Sequence, residues 1–519
     1  MTKLHDVIIA GAGPVGLLLA CELGLAGTAV LVLERDKIPE SPWKTTPLGF
    51  RGLQTSAIET FHRRALLDKF FDLSNRPHSP PKEKGGNRFG GHFAGIPLNI
   101  HKLDLARHRY RLPGPSLMPA PTTIDKIEAI LTERAESLGA EILRGQGFDH
   151  IVQKDDSGLT IETECGKQFR TRWLVGCDGG RSRVRKAAGF DFVGSEPTLT
   201  GYSLRCDLDH PEKLKMGFNT TETGFYIFTG FGMFALLDFD GGASQARKQE
   251  LTQEYMQGVL ERVLNRTDVH ITKIHLVSTW TDRSKQTTNF REGRVLLAGD
   301  AAHIHPPFGA QGMNAGLGDA MNLGWKLAAT IQGEKCSEDG LFHSKLLDTY
   351  EKERHPVGAS VLDWNRAQAA TMQPTPTGRA LRALASDLID TDDGVNHFID
   401  RVWGLSQRYS LSDDADEHPL VGHSAPDFTF TDGSRLNPKL EKGQGLLLDF
   451  GKDQKLKAVI DLHKCDIPVE YLNADSDVRL GISALLIRCD GFVAWVAEES
   501  SDPDVARLTA ALDMWYCIR

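Results

Sequence analysis

The feature that most constrains this 519-residue chain is a pair of short apolar runs, far apart in the sequence, that each end in glycine. Residues 7–10 run directly into the glycine-rich turn 11–16, and residues 294–298 run into Gly299 and Asp300. Short apolar runs bounded by turn residues are typical of strands that are buried on both faces of a parallel sheet. The two segments therefore predict an α/β fold in which loops at strand ends carry the chemistry.

The first segment has the strand–turn–helix context that a dinucleotide-binding fingerprint requires, because residues 14–25 have helical character. Gly11 allows the tight turn, Gly13 lets the backbone approach a pyrophosphate, and Gly16 lets the helix pack on the strand. The start of the helix at Val15 offers N–H groups and a partial positive charge to phosphates. A glycine turn that merely packs tightly is the alternative.

A second apolar run, residues 29–33, ends at Glu34 and Arg35. At this point of a Rossmann unit a carboxylate binds the ribose hydroxyls of an adenosine, which favours a cofactor without a 2′-phosphate. Strand, helix, second strand and acidic residue together predict that this end of the chain binds a dinucleotide.

Composition and charge are those of an ordinary globular protein with several domains, at 40% hydrophobic and 25% charged residues. A net charge of −9 argues against nucleic acid or an anionic membrane surface as the main partner. No apolar run is long enough to predict a membrane span, and no signal peptide is recognisable. The 8 cysteines form no CxxC pair, which predicts reduced, mostly buried thiols in a cytoplasmic protein and no metal site.

The second segment continues through a loop with Pro306 and Pro307 into an apolar stretch, residues 313–329, that predicts a helix. The two prolines stiffen the loop and remove N–H donors, and Gly312 allows the backbone to lie close to a flat ligand. A helix that starts near Asn314 would direct its positive end at an acceptor such as the anionic edge of a reduced flavin.

Three segments resemble the signatures of FAD-dependent aromatic hydroxylases, the single-component (class A) flavoprotein monooxygenases with the p-hydroxybenzoate hydroxylase fold. They are GAGPVG at 11–16, LVGCDGGRSRVRKAAG at 174–189 and GRVLLAGDAAHIHPPFGAQGMNAGLGDAMNLGWKLA at 293–328. The resemblance covers essentially the whole chain and is to the polyketide-hydroxylase type. It implies an α/β architecture with a discontinuous Rossmann-like FAD-binding domain, a mixed-sheet substrate domain and a C-terminal thioredoxin-like α/β domain.

The resemblance carries FAD contacts onto particular residues of this chain. Asp300 matches the aspartate that binds the ribityl chain, the stretch 312–314 matches the pyrimidine edge of the isoalloxazine, and Pro306 lies beside the ring. Asp178 with Gly179 matches a motif associated with FAD and its reduction by NAD(P)H; the alternative is that Asp178 caps the following helix. The complete expected set is Gly11, Gly13, Pro14, Val15, Gly16, Glu34, Arg35, Asp178, Gly179, Gly299, Asp300, Pro307, Gly312, Met313 and Asn314.

Two positions depart from the common pattern of the family. An arginine is usual before the helix that here follows Gly52, but Gly49 occupies its place and Arg51 lies nearby. A glutamine is usual before the helix that starts near Thr123, and the segment 118–124 contains none. We expect altered contacts to FAD rather than loss of the cofactor, with Arg51 as a candidate contact.

The resemblance also divides the chain into three domains. The FAD-binding domain is expected to comprise residues 1–75, 103–186 and 282–400, the substrate domain 76–102 and 187–281, and the C-terminal domain 413–519. Further predicted elements are helices at 122–139 and 377–405, a hairpin within 77–97, and C-terminal strands at 445–450, 484–487 and 492–495. The C-terminal domain is expected to support folding or to form a homodimer contact, since Cys465 and Cys489 form no CxxC pair for redox chemistry.

The segment 224–237 is rich in aromatic and β-branched residues and predicts the sheet that covers the substrate in the family. Its pocket candidates are Phe225, Tyr226, Phe228, Phe231 and Met233. Because successive side chains of a strand point to opposite faces, at most half of them can face one cavity. Ordinary core packing is the alternative for each.

The expected reaction is carried by the flavin. NADPH or NADH reduces FAD, O2 then forms the flavin C4a-hydroperoxide, and a hydroxyl passes to an aromatic or polyketide-like substrate. Pro306, His303, His305 and Tyr226 are candidates for assisting this chemistry, although a loop histidine bonded to backbone is the simpler interpretation. The alternatives are Baeyer–Villiger oxygen insertion beside a carbonyl and a flavin-binding protein without turnover. A halogenase is disfavoured because no WxWxIP run occurs, and zinc because the loop histidines have no partner pattern.

Overall fold

The structure of the protein is a computed structural model that describes residues 3–81, 86–229, 233–243, 250–337, 345–411, 417–451 and 455–517. Its largest element is an eight-stranded sheet. The strands lie in the order Arg291–Glu292, Val295–Leu297, Gln168–Gly176, Leu4–Ala10, Val30–Glu34 and Glu141–Arg144, with Phe148–Asp155 and Gly158–Thr163 paired beside Gln168–Gly176. The strands predicted at residues 7–10, 29–33 and 294–298 all belong to this sheet.

The five neighbouring strands from Val295–Leu297 to Glu141–Arg144 run parallel, so helices must connect them across the sheet. The helix Pro14–Leu25 is apolar nearly all round, and it packs against both the sheet and the long helix Gln311–Cys336. Such a helix needs burial on every side. The helix predicted at 122–139 is confirmed as Ile124–Ser137, and the one predicted at 313–329 is confirmed but longer, from Gln311 to Cys336.

A five-stranded antiparallel sheet forms a second layer, in the order Gly217–Thr220, Gly224–Phe228, Phe234–Asp238, Thr200–Leu208 and Ile271–Thr281. The helix Gln253–Leu264 covers one of its faces. Smaller sheets are formed by Phe192–Ser195, Ser284–Thr287 and His303–Ile304, by Phe50–Leu53 with Ala120–Thr123, and by Phe89–Phe93 with Ile96–Asn99. The last pair is the hairpin predicted within 77–97.

The remaining helices of this part are Thr55–Arg63, Leu67–Phe70, Arg183–Ala188, Lys345–Met372, Pro376–Asp390 and Asp392–Trp403. The prediction of one helix at 377–405 is wrong, because the chain breaks at Thr391. Thr391 is extended, and its hydroxyl accepts the N–H of Gly394, which caps a new helix. A side chain at Gly394 would overlap the carbonyl oxygen of Leu388, so glycine permits this close turn.

The C-terminal part has its own four-stranded sheet, in the order Val469–Asn473, Gly445–Asp449, Ile482–Ile487 and Val493–Glu498. The first pair is parallel and the other two pairs are antiparallel. The helices Leu436–Lys439, Lys455–Leu462 and Val505–Tyr516 complete this part. The predicted C-terminal strands are all present, and the thioredoxin-like character of this part stays a prediction.

The eight cysteines are free thiols, but the expectation that most are buried is wrong. Cys21 and Cys489 are buried, Cys165 and Cys336 are exposed, and the others are half-buried. Cys165 lies in a turn and Cys336 at the last residue of its helix, and chain reversals and helix ends face solvent. Within the described ranges, none of the helices is both long and apolar enough to span a bilayer.

Candidate active site

The predicted motifs meet at one edge of the eight-stranded sheet. Four adjacent parallel strands lead into Gly299, Asp178, the turn 11–16 and Glu34. Because the strands are parallel, these ends lie side by side, where ligands bind in open α/β sheets. The side chain of Val15 packs against Gly299, so the two glycine-rich segments are in direct contact.

The three glycines of the first turn have different surroundings. Gly11 has a φ of +108°, and a Cβ there would overlap the carbonyl oxygen of Cys177 on the neighbouring strand. A Cβ on Gly16 would overlap the carbonyl oxygen of Gly11, so the helix can lie on the turn only without a side chain. A Cβ on Gly13 would meet no atom within 4 Å among the described residues. Gly13 therefore leaves the open space that a pyrophosphate requires.

The start of the helix Pro14–Leu25 faces the same space. Gly13 is its N-cap, no described side chain caps it, and Pro14 stands in its first turn, so its first N–H groups are available to an anion. Glu34 is fixed beside the turn, because its carboxylate accepts the N–H of Ala12 at 2.8 Å and that of Asp36 at 2.9 Å. The open space beside Gly13 and the uncapped start of the helix fit the pyrophosphate of FAD, and the fixed carboxylate of Glu34 fits its ribose. The side chain of Arg35 is largely exposed, 3.8 Å from Asp36.

Asp178 caps the helix Arg183–Ala188, as the structural alternative proposed. Its Oδ2 accepts the N–H groups of Arg183 at 2.7 Å and Val184 at 3.2 Å. Its Oδ1 is buried and has no hydrogen-bond partner among the described residues. Gly179 follows with a φ of +77°, which places the turn in the left-handed region. One carboxylate oxygen of Asp178 is therefore left for a ligand.

Arg51 brings a positive charge close to Asp300. The pKa of Arg51 is lower than its ordinary value because the guanidinium is buried. The carboxylate of Asp300 offsets part of this effect. The guanidinium also donates to the carbonyl oxygens of Leu48 at 3.0 Å and Phe50 at 2.7 Å. A side chain at Gly49 would overlap the backbone of Lys44, so this position takes no arginine. Arg51 therefore stays the candidate FAD contact of this segment.

The loop before the long helix is held in an uncommon conformation. Gly309 and Ala310 have φ values of +71° and +55°, and the left-handed region costs a non-glycine residue free energy. The side chain of Asn314 stabilises this loop: it accepts the N–H of Gln54 at 2.9 Å and donates to the carbonyl oxygens of Gly52 and Ala310. The side-chain amide of Asn314 is therefore occupied by hydrogen bonds to the backbone. The groups that remain for a flavin at the start of the helix are the backbone N–H groups of Gly312 and Met313.

His303 and His305 serve different contacts. His303 is buried, and its Nε2 lies 2.8 Å from Asp319 Oδ2, while the other oxygen of Asp319 pairs with Arg354 at 2.7 Å. Burial opposes ionisation of Asp319, but Arg354 and His303 hold its pKa below the ordinary value. His305 Nδ1 lies 2.8 Å from the carbonyl oxygen of Pro306, beside Gly312. His303 is thus a core residue, and His305 is the histidine next to the proposed flavin edge.

The predicted pocket residues divide between the two faces of the five-stranded sheet. Phe225 lies on the face toward the helices Pro376–Asp390 and Asp392–Trp403. Tyr226 and Phe228 lie on the opposite face, in the core under the helix Gln253–Leu264. Tyr226 and Phe228 therefore cannot face the same cavity as Phe225, because successive side chains of a strand point to opposite faces. Their assignment to the pocket and the catalytic role of Tyr226 stay predictions. Met233 is half-buried, and Phe231 lies outside the described residues.

Aromatic residues from distant segments join Phe225 on the pocket face. The Trp280 and Phe308 rings meet edge to face with centroids 5.6 Å apart, and Phe308 belongs to the loop that follows Pro307. Trp280 Nε1 donates to Ser203 Oγ at 3.1 Å, and its ring lies over Gly201 on the next strand. Sequence analysis missed Trp280, since nothing near it in the chain indicates a site. Phe225, Trp280 and Phe308 belong to one apolar cluster beside the loop 303–314. We propose this cluster as the wall of the substrate chamber, and it is called the chamber below.

An open groove of about 910 Å³ lies at the surface close to this chamber. It lies between the strand end at Thr220 and the helix Pro376–Asp390, with Arg379 and Arg382 on its helical side. The Arg382 guanidinium is 5.9 Å from the centre of the Phe225 ring and donates to the carbonyl oxygen of Ala94 at 2.6 Å. The groove is therefore a candidate route to the chamber for a small molecule.

Comparison with protein families gives two matches along the chain. Residues 5–365 match the family described as an FAD binding domain. Residues 418–517 match the family described as the C-terminal region of aromatic-ring hydroxylases. The first match spans every motif that meets in the crevice, and the second spans the C-terminal sheet.

Individual relatives are similar over their whole length. A Claviceps purpurea protein named as a monooxygenase is 45% identical over 515 residues, which are 99% of this chain and 98% of that protein. The rifampicin monooxygenase of Streptomyces venezuelae is 35% identical over 525 residues and 99% of both chains. The solved structure of the anhydrotetracycline hydroxylase OxyS from Streptomyces rimosus superposes with a TM-score of 0.80, at 33% identity and 99% coverage of both chains.

Proposed function

Because the chain belongs to the family of FAD-dependent aromatic-ring hydroxylases, we propose that it uses NAD(P)H and O2 to hydroxylate an aromatic, polyketide-like small molecule. Membership of this family makes the protein an FAD-dependent monooxygenase. The observation that supports the substrate class is the apolar cluster of Phe225, Trp280 and Phe308 beside the loop 303–314. A flat, multi-ring molecule fits aromatic walls that offer edge and face contacts.

FAD supplies the redox chemistry when bound, and the residues of this chain hold it and shield the reaction. The turn 11–16 and Glu34 would bind the pyrophosphate and adenosine ribose, and Asp300 the ribityl chain. The helix start at Gly312 would face the pyrimidine edge with N–H groups and its positive dipole. Pro306 and Pro307, which have no N–H, and the rings of the chamber would exclude water from the reacting atoms.

The test is oxidation of NADPH and NADH in air by the purified flavoprotein, with and without a panel of phenols and polycyclic aromatic polyketides. We expect one panel class to stimulate oxidation and to gain one oxygen atom from labelled O2. An ester or lactone product would favour Baeyer–Villiger insertion. Tight flavin and ligand binding with neither nicotinamide oxidised would favour the binding protein without turnover.

A matched pair of variants tests the chamber. Phe225→Leu is expected to raise KM for the stimulating compound and to divert more reduced flavin to hydrogen peroxide, because the wall of the chamber is changed. Phe228→Leu, on the same strand but on the opposite face, is the control and should keep the wild-type KM and coupling. Equal effects of the two substitutions on KM would contradict the chamber.

A further inference from the structure

Three residues with metal-binding side chains meet at the end of the C-terminal domain. His463 and Cys465 directly follow the helix Lys455–Leu462, and Cys517 directly follows the helix Val505–Tyr516. The imidazole nitrogen and the two sulfur atoms all lie within 4.8 Å of one another. These three residues are called here the C-terminal Cys–His cluster.

The backbone holds the two halves of this cluster together. The N–H groups of Asp466 and Ile467 both donate to the carbonyl oxygen of Tyr516, at 2.8 Å and 3.0 Å. Asp513 lies four residues before Cys517, which places it on the same face at the end of its helix. The cluster is therefore built on fixed backbone from two chain segments.

The distances agree with those between ligands of one tetrahedral ion. His463 Nε2 lies 3.4 Å from Cys517 Sγ and 3.1 Å from Asp513 Oδ1. Zinc bonds of about 2.3 Å to sulfur and about 2.1 Å to nitrogen or oxygen give tetrahedral edges of about 3.6 Å for S···N and about 3.4 Å for N···O. Asp513 lies outside the group of three residues whose ligand atoms are all within 4.8 Å of one another, so its carboxylate contacts His463 at the margin of the site.

The charges around the two sulfurs also favour a cation. Asp466 directly follows Cys465 in the chain, and the Asp513 carboxylate lies 3.1 Å from His463 Nε2. A divalent cation would compensate this accumulation of acidic groups and take both sulfurs as thiolates.

We propose that His463, Cys465 and Cys517 bind one zinc ion, which fastens the segment after the helix Val505–Tyr516 to the loop after the helix Lys455–Leu462. Two thiolates and an imidazole within reach of one ion select zinc over the hard cations, which prefer oxygen ligands. A water molecule would complete the tetrahedron. It lies outside the crevice and takes no part in the proposed hydroxylation.

The test is the zinc content of the full-length flavoprotein, purified on resins that carry no metal, exposed to Zn²⁺ and then gel-filtered. We expect one zinc per chain in the wild type and a loss of at least about tenfold in affinity in Cys465→Ser, Cys517→Ser and His463→Ala. Cys165→Ser removes an exposed cysteine elsewhere and should keep the zinc. All four variants should retain FAD, which shows that they are folded.

Cobalt provides a second readout. Co²⁺ in place of zinc should give thiolate charge-transfer and d–d absorption at wavelengths longer than those of the flavin, and Cys517→Ser should abolish it. The proposal is overturned if the reduced wild type binds no zinc, if cobalt shows no thiolate ligation, or if intact mass shows that Cys465 and Cys517 form a disulfide in the purified protein. Retention of zinc by Cys517→Ser would overturn it as well.

Discussion

At the scale of single residues, the crevice is defined by acidic side chains that the fold leaves accessible. Asp300 is exposed directly after the strand Val295–Leu297, and Glu34 and Asp178 each keep lone pairs beyond their backbone contacts. Arg51 is the counter-charge beside Asp300. A carboxylate presented at a strand end is suited to bind hydroxyl groups of a ligand.

Asp300→Ala is therefore expected to weaken FAD binding by roughly tenfold to a hundredfold, the worth of a hydrogen bond to a charged group. Flavin content after gel filtration and an FAD titration of the apoprotein measure this. Glu136→Ala, which removes an exposed carboxylate from the helix Ile124–Ser137, is the control and should bind FAD as the wild type does. Full flavin retention by Asp300→Ala would remove Asp300 from the FAD site.

At the scale of elements, two glycines of the strand–turn–helix at the N-terminus have different roles. Gly16 is needed for packing of the helix, and Gly13 is expected to leave space for the cofactor. Gly16 lies against the carbonyl oxygen of Gly11, whereas the space beside Gly13 is open. The same added methyl group therefore has different consequences at the two positions.

Gly16→Ala is expected to lower the free energy of unfolding by about 2 kcal/mol or more, because the backbone atom it meets cannot move aside. Gly13→Ala should leave the stability of the apoprotein within about 1 kcal/mol of the wild type and weaken FAD binding. Urea denaturation of the apoproteins and FAD titration separate the two effects. Loss of stability in Gly13→Ala equal to that in Gly16→Ala would contradict this division.

At the scale of the whole molecule, buried charges join the C-terminal sheet to the helices of the FAD-binding part. Arg488 is fully buried and pairs with Glu353 at 2.7 Å and with Asp490 at 2.5 Å, while Lys326 lies 3.0 Å from Glu353. Arg64 pairs with Glu22 and also donates to backbone carbonyl oxygens of the C-terminal part. These contacts fix the C-terminal part onto the rest of the chain.

Arg488→Met is expected to lower the free energy of unfolding by about 3–5 kcal/mol, because Asp490 loses its buried ion-pair partner and Glu353 keeps only Lys326. Arg507→Met, which removes an exposed pair with Asp504, is the control and should change stability by less than about 1 kcal/mol. Chemical denaturation of both variants measures the difference. If the two variants are equally stable, the buried cluster does not hold the parts together.

Much of the crevice could be predicted because its pieces are local. The bounds of the helix Pro14–Leu25, the strand before it and the end of the next strand at Glu34 follow from apolar runs and glycines within 34 residues. The break at Thr391 also has a local signal, because a threonine before two aspartates and a glycine is typical of a helix N-cap. The helix break was not predicted because the apolar pattern continues across it. The domain bounds and a homodimer stay predictions.

The sequence by itself determined the strand–turn–helix motifs, the family and the cofactor, because these depend on the order of residues within short segments. The tertiary structure decided which face of the strand Gly224–Phe228 points to the chamber, and that Trp280 stands beside Phe308. It also decided that His463, Cys465 and Cys517 meet, although their spacing predicted no metal site. Contacts of this kind depend on strand pairing and helix packing between segments that are distant in the chain. They cannot be predicted from the residues of one segment.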